Sequence, residues 1–365
     1  MKIGLAFIGA GSVIEGRHLP ALAAVSGFVV RSVYDPDKQA AGRVAAAAGA
    51  RVAATLEEAV RGDDVQAVTV ASPNVFHRAG VEAAAAAGKH ILCEKPIATN
   101  LRDARAILQA AERAGIVLQI GFHHRFTTEY RLTRRLLEAG VVGKIRAFQT
   151  MLAEPISLVP GGDNYRLKPE LSGGLTLIDF GSHRIDQMRG LLGEVAQISA
   201  QFASVVPGHG MDDNVTLEVE TREGALGTLS FQRFSRGAIT PTTLLGEKGV
   251  LCFSSYVVNP VQASPVAAFT EEPLPQDALA FSRPLDWWNP PQPGWTTFWP
   301  PVENPYAAEY AAFLASIRDK TPPAVTGFDG YQALEIVIGA YKAFAARHAV
   351  TLPLDPEEEI PIPKF

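Results

Sequence analysis

Lys95 is the first residue whose type and setting point to chemistry on a hydroxyl group. It stands in "HILCEKPIATN", residues 90–100, where an apolar strand-like run ends in Glu94, Lys95 and Pro96. Partial desolvation at a strand end can lower the pKa of a lysine, which could then hydrogen-bond or help deprotonate a substrate hydroxyl. Pro96 would keep this turn rigid, and a cis peptide bond is one way to do so. A solvated Glu94–Lys95 pair is the alternative interpretation.

Asp179 and His183 form the second chemical pair, in "SGGLTLIDFGSHRIDQMRGLLG", residues 172–193. The apolar spacing of this stretch predicts a helix at 175–192, on which residues four apart share a face. A carboxylate beside an imidazole can orient the ring and raise its basicity, as a general acid/base histidine requires. Asp186 is given a structural role. The alternative is that Asp179 and His183 form an ordinary ion pair on the surface, but the apolar residues around them make this less favoured.

A glycine turn at the start of the chain predicts a dinucleotide site. In "FIGAGSV", residues 7–13, a strand leads into Gly9-x-Gly11 and a helix follows, although Ile14 replaces the usual third glycine. Gly9 could make the tight turn, Gly11 could admit backbone amides to a pyrophosphate, and the helix N-terminus adds positive potential. Ser12 and Val13 complete the predicted contacts.

Asp35 strengthens the dinucleotide interpretation. It ends the second strand run, about where an acid should hydrogen-bond a ribose hydroxyl. An aspartate would repel a 2′-phosphate, so NAD is favoured over NADP as the cofactor. Lys38 is the nearest basic group that could override this preference.

The segment "ASPNVFH", residues 71–77, follows another strand at the same edge of the predicted sheet. Ser72 and Asn74 could cap the next helix, contact the cofactor, or do both. Pro73 is counted with them. His77 is equally open between a packing role and contact with cofactor or substrate. Glu94 and Lys95 complete the predicted cofactor contacts.

The elements that would position these residues fall into two groups. Up to about residue 121, short apolar runs alternate with alanine-rich helical segments, which predicts a parallel sheet with helices on both faces. The strand-like runs are 3–8, 28–34, 67–71, 90–93 and 116–120. After that, strands follow strands, which predicts an α+β domain with an antiparallel or mixed sheet. We therefore predict an α/β Rossmann-type doubly wound domain at 1–121 and a substrate-binding and oligomerisation α+β domain at 122–365, whose last helices could pack back on the first domain.

Composition narrows the functional class. The 365 residues carry 33 basic and 38 acidic side chains, a net charge of -5, and no basic block that could neutralise a row of phosphates. A nucleic-acid partner is not expected. Two cysteines, Cys93 and Cys252, fit buried thiols in a reducing compartment. No run is apolar enough for a membrane span or a secretory signal. We expect a cytoplasmic protein with no membrane partner and no metal site.

The chain resembles the glucose-fructose oxidoreductase and inositol dehydrogenase family (Gfo/Idh/MocA). The resemblance covers nearly the whole sequence and is carried by "GAGSVIEGRHLPAL", "SPNVFH", "CEKPIA", "GFHHRF", the 172–193 stretch and "NPYAAEYAAFLASIRDKTPPAVTGFDGYQALEIVIGAYKA". It implies a Rossmann-type domain and a C-terminal domain with a large, open-faced, mostly antiparallel sheet. Such sheets often make dimer or tetramer contacts, so a homodimer or homotetramer is expected.

The resemblance also implies roles for individual residues. The family's catalytic lysine, aspartate and histidine fall on Lys95, Asp179 and His183. His183 would act as acid/base on the substrate hydroxyl, Asp179 would orient it, and Lys95 would polarise the same oxygen. In "GFHHRF", His123 and His124 depart from the family's usual asparagine or arginine. The remaining predicted substrate contacts are His124, Arg125, Tyr165 and Arg166.

One stretch lies outside the usual pattern of the family. All four tryptophans fall within "DWWNPPQPGWTTFW", residues 286–299, which also holds three prolines. Because proline breaks helices and central strands, we expect neither element there. The aromatic faces could stack on a sugar or close a lid, or they could plug a core or a subunit contact.

The expected activity is oxidation of a secondary hydroxyl of a sugar, sugar derivative or cyclitol, with NAD(P) as hydride acceptor. One alternative is a glycoside hydrolase or epimerase that retains NAD through a transient redox cycle. Another is a non-catalytic regulatory protein that senses NAD or a sugar, against which the complete lysine, aspartate and histidine set argues.

Overall fold

A computed structural model describes residues 2–155, 164–208, 210–254, 264–271, 273–284 and 294–365. The chain forms two compact units, each assembled from several segments. The first unit comprises Met1–His123, Lys168–Gly173 and Asn304–Leu334. The second comprises His124–Leu167, Gly174–Glu303 and Glu335–Phe365.

The strands and helices are numbered in chain order. The strands are β1 Ile3–Ile8, β2 Phe28–Tyr34, β3 Arg51–Val52, β4 Ala67–Val70, β5 His90–Glu94, β6 Leu118–Gly121, β7 Ile145–Ala153, β8 Val195–Ala203, β9 Asn214–Thr221, β10 Leu226–Gln232, β11 Pro241–Gly246, β12 Gly249–Ser254, β13 Val266–Thr270, β14 Ser282–Pro284, β15 Gly294–Phe298 and β16 Val350–Thr351. The α-helices are α1 Leu19–Ala23, α2 Lys38–Ala48, α3 Leu56–Arg61, α4 His77–Ala86, α5 Leu101–Ala114, α6 Thr128–Glu138, α7 Pro169–Ser172, α8 Ser182–Leu192, α9 Pro305–Asp319 and α10 Gly327–Ala346.

The first unit is built on a parallel six-stranded sheet. Its strand order is β3-β2-β1-β4-β5-β6, and every pair in it is parallel. The order reverses direction at β1, so the loops after β1 and β4 meet at a topological switch point, where doubly wound folds bind ligands. The predicted Rossmann-type sheet is confirmed.

Small side chains let the helices of the first unit lie close to this sheet. Ala41 and Val44 of α2 are fully buried in the same core as Phe7 of β1. Helix α9, from much later in the chain, adds aromatic area to this core, where Phe313 stacks on Phe28 with ring centroids 6.0 Å apart. The alanine-rich runs of the sequence are therefore packing surfaces.

The second unit is built on a ten-stranded sheet. Its order is β14-β15-β13-β12-β11-β7-β10-β9-β8-β16. Strands β7 and β10 run parallel, and the other neighbouring pairs are antiparallel. Burial alternates along β9, with Val215, Leu217 and Val219 inward and the residues between them half-buried or exposed. The predicted large, mostly antiparallel sheet is confirmed.

The expectation that the tryptophan-rich stretch holds no central strand is wrong for its last part. Residues 294–298 form β15, which pairs with β13 on one side and with β14 on the other. The prolines of this stretch precede Gly294, so Trp295 and its neighbours keep every amide that a ladder needs. Trp287 and Trp288 lie outside the described residues.

An apolar row crosses the half-buried and exposed face of this sheet. Direct strand pairing links its members in a line over six adjacent strands. We call these residues the sheet-face row: Trp295, Phe269, Val250, Leu245, Ala147 and Leu226. Leu226 is 60% exposed, and Leu245 and Trp295 are each 45% exposed. An exposed apolar patch of this kind is typical of an interaction surface.

Among the described residues, none of the helices combines the length and the apolar character that a membrane crossing requires.

Candidate active site

Gly9 is required by the protein's own backbone. It has φ +97°, and a Cβ built on it would lie 2.6 Å from the Ala71 carbonyl carbon. Its amide donates to the Tyr34 carbonyl at 2.8 Å, which ties the turn after β1 to the end of β2. A side chain here would therefore break both the turn and its contact with the β4 loop.

Gly11 has a different reason to be glycine. A Cβ built on it would meet nothing within 4 Å, so the protein's own packing does not demand it. The bare backbone leaves open space at the start of a helix, where amides and positive potential favour an anion. Ile14, in place of the third glycine, is fully buried in the core between helix and sheet. Ser12 is exposed, and Val13 is half-buried.

Asp35 is held beside the glycine turn. Its Oδ2 accepts the Ala10 amide at 2.8 Å, and its Oδ1 accepts the Asp37 amide at 2.8 Å. Lys38, the predicted competitor, donates to the Ala54 carbonyl at 3.1 Å, and its ammonium lies 5.2 Å from the Tyr34 ring centroid. The carboxylate thus lies at the end of β2, where a ribose hydroxyl would be recognised.

The loop after β4 is joined by hydrogen bonds to the turn after β5 and to the segment that holds Ser172. His77 is buried, with Nδ1 2.8 Å from the Pro96 carbonyl and Nε2 2.9 Å from the Ser72 carbonyl. Burial lowers its pKa, against the effect of those carbonyls. Asn74 donates to the Ser172 carbonyl at 2.8 Å. His77 therefore fixes two loops together, and its contact with cofactor or substrate stays a prediction.

Ser72 carries the clearest sign of a ligand-binding role in the first unit. Its Oγ is buried and has no hydrogen-bond partner in the described part of the chain. Buried hydroxyls are normally paired. Together with the open space at Gly11 and the fixed Asp35, this orphaned hydroxyl fits a dinucleotide at the carboxyl edge of the sheet. Gly9, Ser12, Val13, Ile14 and Pro73 would line the same edge by their positions.

Lys95 lies directly after β5 at that edge. It is half-buried, and its peptide bond to Pro96 is cis. The Lys95 amide donates to Glu94 Oε2 at 3.2 Å, while Glu94 Oε1 lies 3.0 Å from His18 Nε2. Glu94 is therefore part of a buried polar network rather than of a solvated pair with Lys95.

Asp179 lies in the second unit, in contact with two arginines. Its Oδ2 accepts from Arg233 at 3.3 Å, and its Oδ1 lies 3.5 Å from Arg166 Nε. The Asp179 side chain is 12% exposed and that of Arg233 is 5% exposed. Arg233 also pairs with Glu154 and places its guanidinium 4.0 Å from the centroid of Phe180. Permanent positive charges thus flank this carboxylate.

His183 stacks on His124 in the second unit. The two imidazole centroids are 4.0 Å apart, and the ring planes differ by 12°. The predicted helix begins as a π-helical segment, Thr176–Gly181, and continues as α8. Asp179 lies in the π segment and His183 in the α segment. π-Helical turns occur frequently at functional sites.

Arg125 has an internal partner. Its Nε and Nη2 donate to Asp186 at 2.7 and 2.6 Å, a two-pronged pair that is almost fully buried. Asp186 thus has the structural role predicted for it, whereas contact of Arg125 with substrate stays a prediction. Arg166 lies over the Tyr165 ring at 4.9 Å, so these two predicted substrate contacts touch each other.

Asp212 anchors the start of the helical stretch that carries Asp179. Its carboxylate accepts the Leu175 amide at 3.0 Å and the Leu177 amide at 2.8 Å. Burial raises its pKa to about 6, although the amides of Leu177 and Leu175 act in the opposite direction. This residue satisfies amides that an N-terminus leaves without intrahelical partners.

The sequence interpretation assigned no role to three residues of these networks: His18, Asp212 and Arg233. Each makes its contacts with residues far away in the chain, so no local pattern marks them. His18 stands within "GRHLPAL", one of the segments that carry the family resemblance. That histidine, four residues after the predicted cofactor contacts, was the one available signal.

Two protein-family models match most of the chain. A model of the oxidoreductase family with an NAD-binding Rossmann fold matches residues 3–122. A model of the GFO/IDH/MocA C-terminal domain matches residues 130–252.

Two curated relatives and one solved structure illustrate the similarity. The chain is 27% identical to a 1,5-anhydro-D-fructose reductase of Ensifer adhaerens over 94% of its own length and 97% of that protein. It is 32% identical to the rhizopine catabolism protein MocA of Rhizobium meliloti over 68% and 77% of the two chains. A levoglucosan dehydrogenase in complex with NADH and levoglucosan has the same fold, with a TM-score of 0.84, 21% identity, and coverage of 97% of this chain and 100% of that one.

Proposed function

Because this chain belongs to the GFO/IDH/MocA oxidoreductase family, we propose that it oxidises a secondary hydroxyl of a sugar, a sugar derivative or a cyclitol. The observation that carries the proposal lies in the first unit. The open space at Gly11, the orphaned Ser72 hydroxyl and the half-buried Lys95 all stand at the carboxyl edge of one parallel sheet. In such folds this edge binds the cofactor.

The proposed chemistry divides between the cofactor and three side chains. Bound NAD(P) supplies the hydride acceptor for the hydrogen on the carbinol carbon. We assign His183 as the base that takes the hydroxyl proton and Asp179 as the group that orients it. Lys95 hydrogen-bonds the same oxygen and stabilises the negative charge that develops on it.

NAD is the proposed cofactor, in preference to NADP. Asp35 is held by two backbone amides, so its carboxylate cannot easily turn away from a ribose. A 2′-phosphate at this position would meet a fixed negative charge. Lys38, which could compensate, is directed to the Ala54 carbonyl.

The names of the relatives support a carbohydrate substrate. They are an anhydrofructose reductase and a levoglucosan dehydrogenase, both of which act on compact sugar derivatives. The test is to mix the purified protein with NAD or NADP and with levoglucosan, simple aldoses or myo-inositol, and to follow NADH absorbance. A signal with one of these compounds is the expected result. Product formed without NADH would instead indicate a retained cofactor.

Two substitutions test the assigned residues. Lys95→Ala and His183→Ala should each lower kcat at least about a hundredfold, because each removes a proton-handling or oxyanion-stabilising group. Lys89→Ala, which removes a lysine before β5, and His348→Ala, which removes an exposed histidine after α10, are the matched controls. Unchanged turnover in the Lys95 and His183 variants would refute the assignment.

We further propose a homodimer or homotetramer formed through the sheet-face row. An apolar line of this length is costly to leave in water. Multi-angle light scattering measures the state directly, and a monomer at micromolar concentration would contradict the proposal. The proposed cytoplasmic location rests on Cys93 and Cys252, which are both free thiols.

A further inference from the structure

His18 is a buried histidine between two hydrogen-bonding partners in the first unit. It ends the π-helical segment Ile14–His18 that follows the glycine turn, and it is fully buried. Its Nε2 lies 3.0 Å from Glu94 Oε1, and its Nδ1 lies 3.0 Å from the Tyr310 hydroxyl. The ring therefore links the turn before Lys95 to helix α9.

The hydrogen bonds from His18 through Tyr310 to Thr69 can form with either direction of donation. The Tyr310 hydroxyl is also 3.0 Å from Thr69 Oγ1 on β4. When Nδ1 accepts, Tyr310 donates to it and accepts from Thr69; when Nδ1 donates, both hydroxyls reverse. His18 Nδ1 thus finds a partner whether it donates or accepts.

Glu94 is enclosed by backbone as well as by His18. Its strand neighbour is Gly121, where a Cβ would lie 3.1 Å from the Glu94 carboxylate. Burial on its own would raise the pKa of Glu94, but the hydrogen bond and charge of His18, followed by the smaller effects of His123 and Lys95, bring the pKa below its usual value. The carboxylate is therefore charged as well as fixed.

A second buried acid lies in the same cluster without such support. Glu309 of α9 is fully buried, and neither of its carboxylate oxygens has a hydrogen-bond partner in the described ranges. Burial, aided by the negative charge of Glu94, raises its pKa well above the usual value. Burial thus favours the protonated form of Glu309, whereas Glu94 accepts hydrogen bonds from His18 and from the Lys95 amide, which favour its charged form.

Other titratable groups also face Glu94. They lie on its own strand and turn, on the segment after β6, on α4 and on α9: Cys93, Lys95, His123, His77 and Tyr310. Burial lowers the pKa of His123 to about 3, so this ring is neutral. The side-chain hydrogen bond that lowers the pKa of the Glu94 carboxyl comes from His18.

We propose that His18 is a positioning residue for Lys95: its imidazole holds the Glu94 carboxylate against the Lys95 amide. The link to turnover rests on the proposed function, in which Lys95 contacts the reacting oxygen. A charged, immobile Glu94 fixes the backbone from which Lys95 extends. Loss of the imidazole would allow Glu94 to take up a proton and turn away.

Infrared spectroscopy tests the charge states without any substrate. The spectra of the wild type and of His18→Gln, Glu94→Gln and Glu309→Gln are recorded at pH 7 in D2O in the region of protonated carboxylic acids. We expect a wild-type band that disappears in Glu309→Gln. We also expect an additional band in His18→Gln that is absent from His18→Gln/Glu94→Gln. A spectrum of His18→Gln identical to that of the wild type would overturn the proposal.

Kinetics test the positioning role. On whichever panel compound is oxidised, His18→Gln should lower kcat about tenfold, the factor expected for losing a hydrogen bond to a charged group. The KM for NAD should change little, and the acid limb of the pH profile should move to higher pH. Tyr310→Phe keeps the ring but removes its hydroxyl, and it should shift the acid limb in the same direction by less. It carries the test if His18→Gln does not fold.

The controls separate this proposal from the function beneath it. His90→Gln removes another partly buried histidine of the same unit, whose Nδ1 accepts the Val117 amide, and it should leave the pH profile unchanged. If Lys95→Ala abolishes turnover but His18→Gln and Tyr310→Phe leave the profile intact, only the role of His18 fails. If Lys95→Ala retains turnover, the proposed function itself fails.

Discussion

Glu94 in the first unit and Asp179 in the second are both largely buried carboxylates, but different kinds of side chain hold them. Glu94 faces an imidazole, with His18 Nε2 3.0 Å from its Oε1. Asp179 faces two guanidiniums, which stay charged at every pH that a protein survives. The two units therefore hold a buried carboxylate in different ways, with a hydrogen-bonding imidazole in the first unit and with permanent cations in the second.

Removing Arg233 should have the largest effect on this comparison. Arg233→Met leaves Asp179 and Glu154 partly buried without their shared cation, and breaking such a pair costs about 3–5 kcal/mol. We expect a clear drop in the free energy of unfolding, measured by urea denaturation, together with a large loss of kcat.

Two further variants serve as controls for Arg233→Met. Arg233→Lys keeps the charge and should recover part of both losses. Arg134→Met breaks an exposed pair with Glu138 and should change stability by less than about 1 kcal/mol. Equal stability of Arg233→Met and Arg134→Met would show that guanidiniums are not what holds Asp179.

Asp212 adds a third case to the comparison of Glu94 with Asp179, because neutral backbone amides bind this buried carboxylate. Its folded-state pKa of about 6 lies above the ordinary 3.8, so ionisation costs stability as pH rises between these values. Asp212→Asn loses an amide acceptor and should be less stable at pH 4 by about 1–3 kcal/mol. Because Asn cannot ionise, this deficit should shrink as pH rises through 6.

Thermal denaturation from pH 4 to 7 measures this deficit. Asp355→Asn is the control, since Asp355 accepts the Glu357 amide at an exposed site. A deficit that stays constant across the range would mean that Asp212 does not titrate in the folded chain.

Substitution of Glu309 should have the smallest effect on the free energy of unfolding, and it should stabilise the protein where the other substitutions destabilise it. Its raised pKa means that the folded chain keeps a proton which the unfolded chain loses above about pH 4.5, so stability falls as pH rises. Glu309→Gln mimics the protonated acid and should raise the free energy of unfolding by about 1 kcal/mol at pH 7. The gain should vanish below pH 4. Destabilisation at pH 7 would indicate a charged Glu309.

Contacts local in sequence were predictable, and distant ones were not. The glycine turn, Asp35 and the turn at Lys95 follow from strand ends and short spacings, and the parallel sheet follows from the alternation of elements. By contrast, His18 meets Glu94 across 76 positions, and Arg233 meets Asp179 across 54. No period or motif links such pairs, because only the folded strand order brings them together.

The errors of the sequence interpretation have physical causes too. Trp295 was assigned to an irregular stretch because prolines precede it, yet the five residues after the last proline suffice for a strand. The helix carrying Asp179 and His183 was predicted as purely α-helical. The π segment Thr176–Gly181 could not be told from an α-helical turn by the spacing of the apolar residues.

The π segment Thr176–Gly181 allows the length of this stretch to change. A π turn closes through i→i+5 hydrogen bonds, so it holds one residue more than an α turn over the same stretch. Excising one residue from the segment, for instance Phe180, would therefore leave an ordinary α turn and let α8 continue in its present phase, with the His183 ring on His124. This segment can thus lose a residue at a point where a regular α-helix, which rotates about 100° for each residue, could not do so without turning every later side chain.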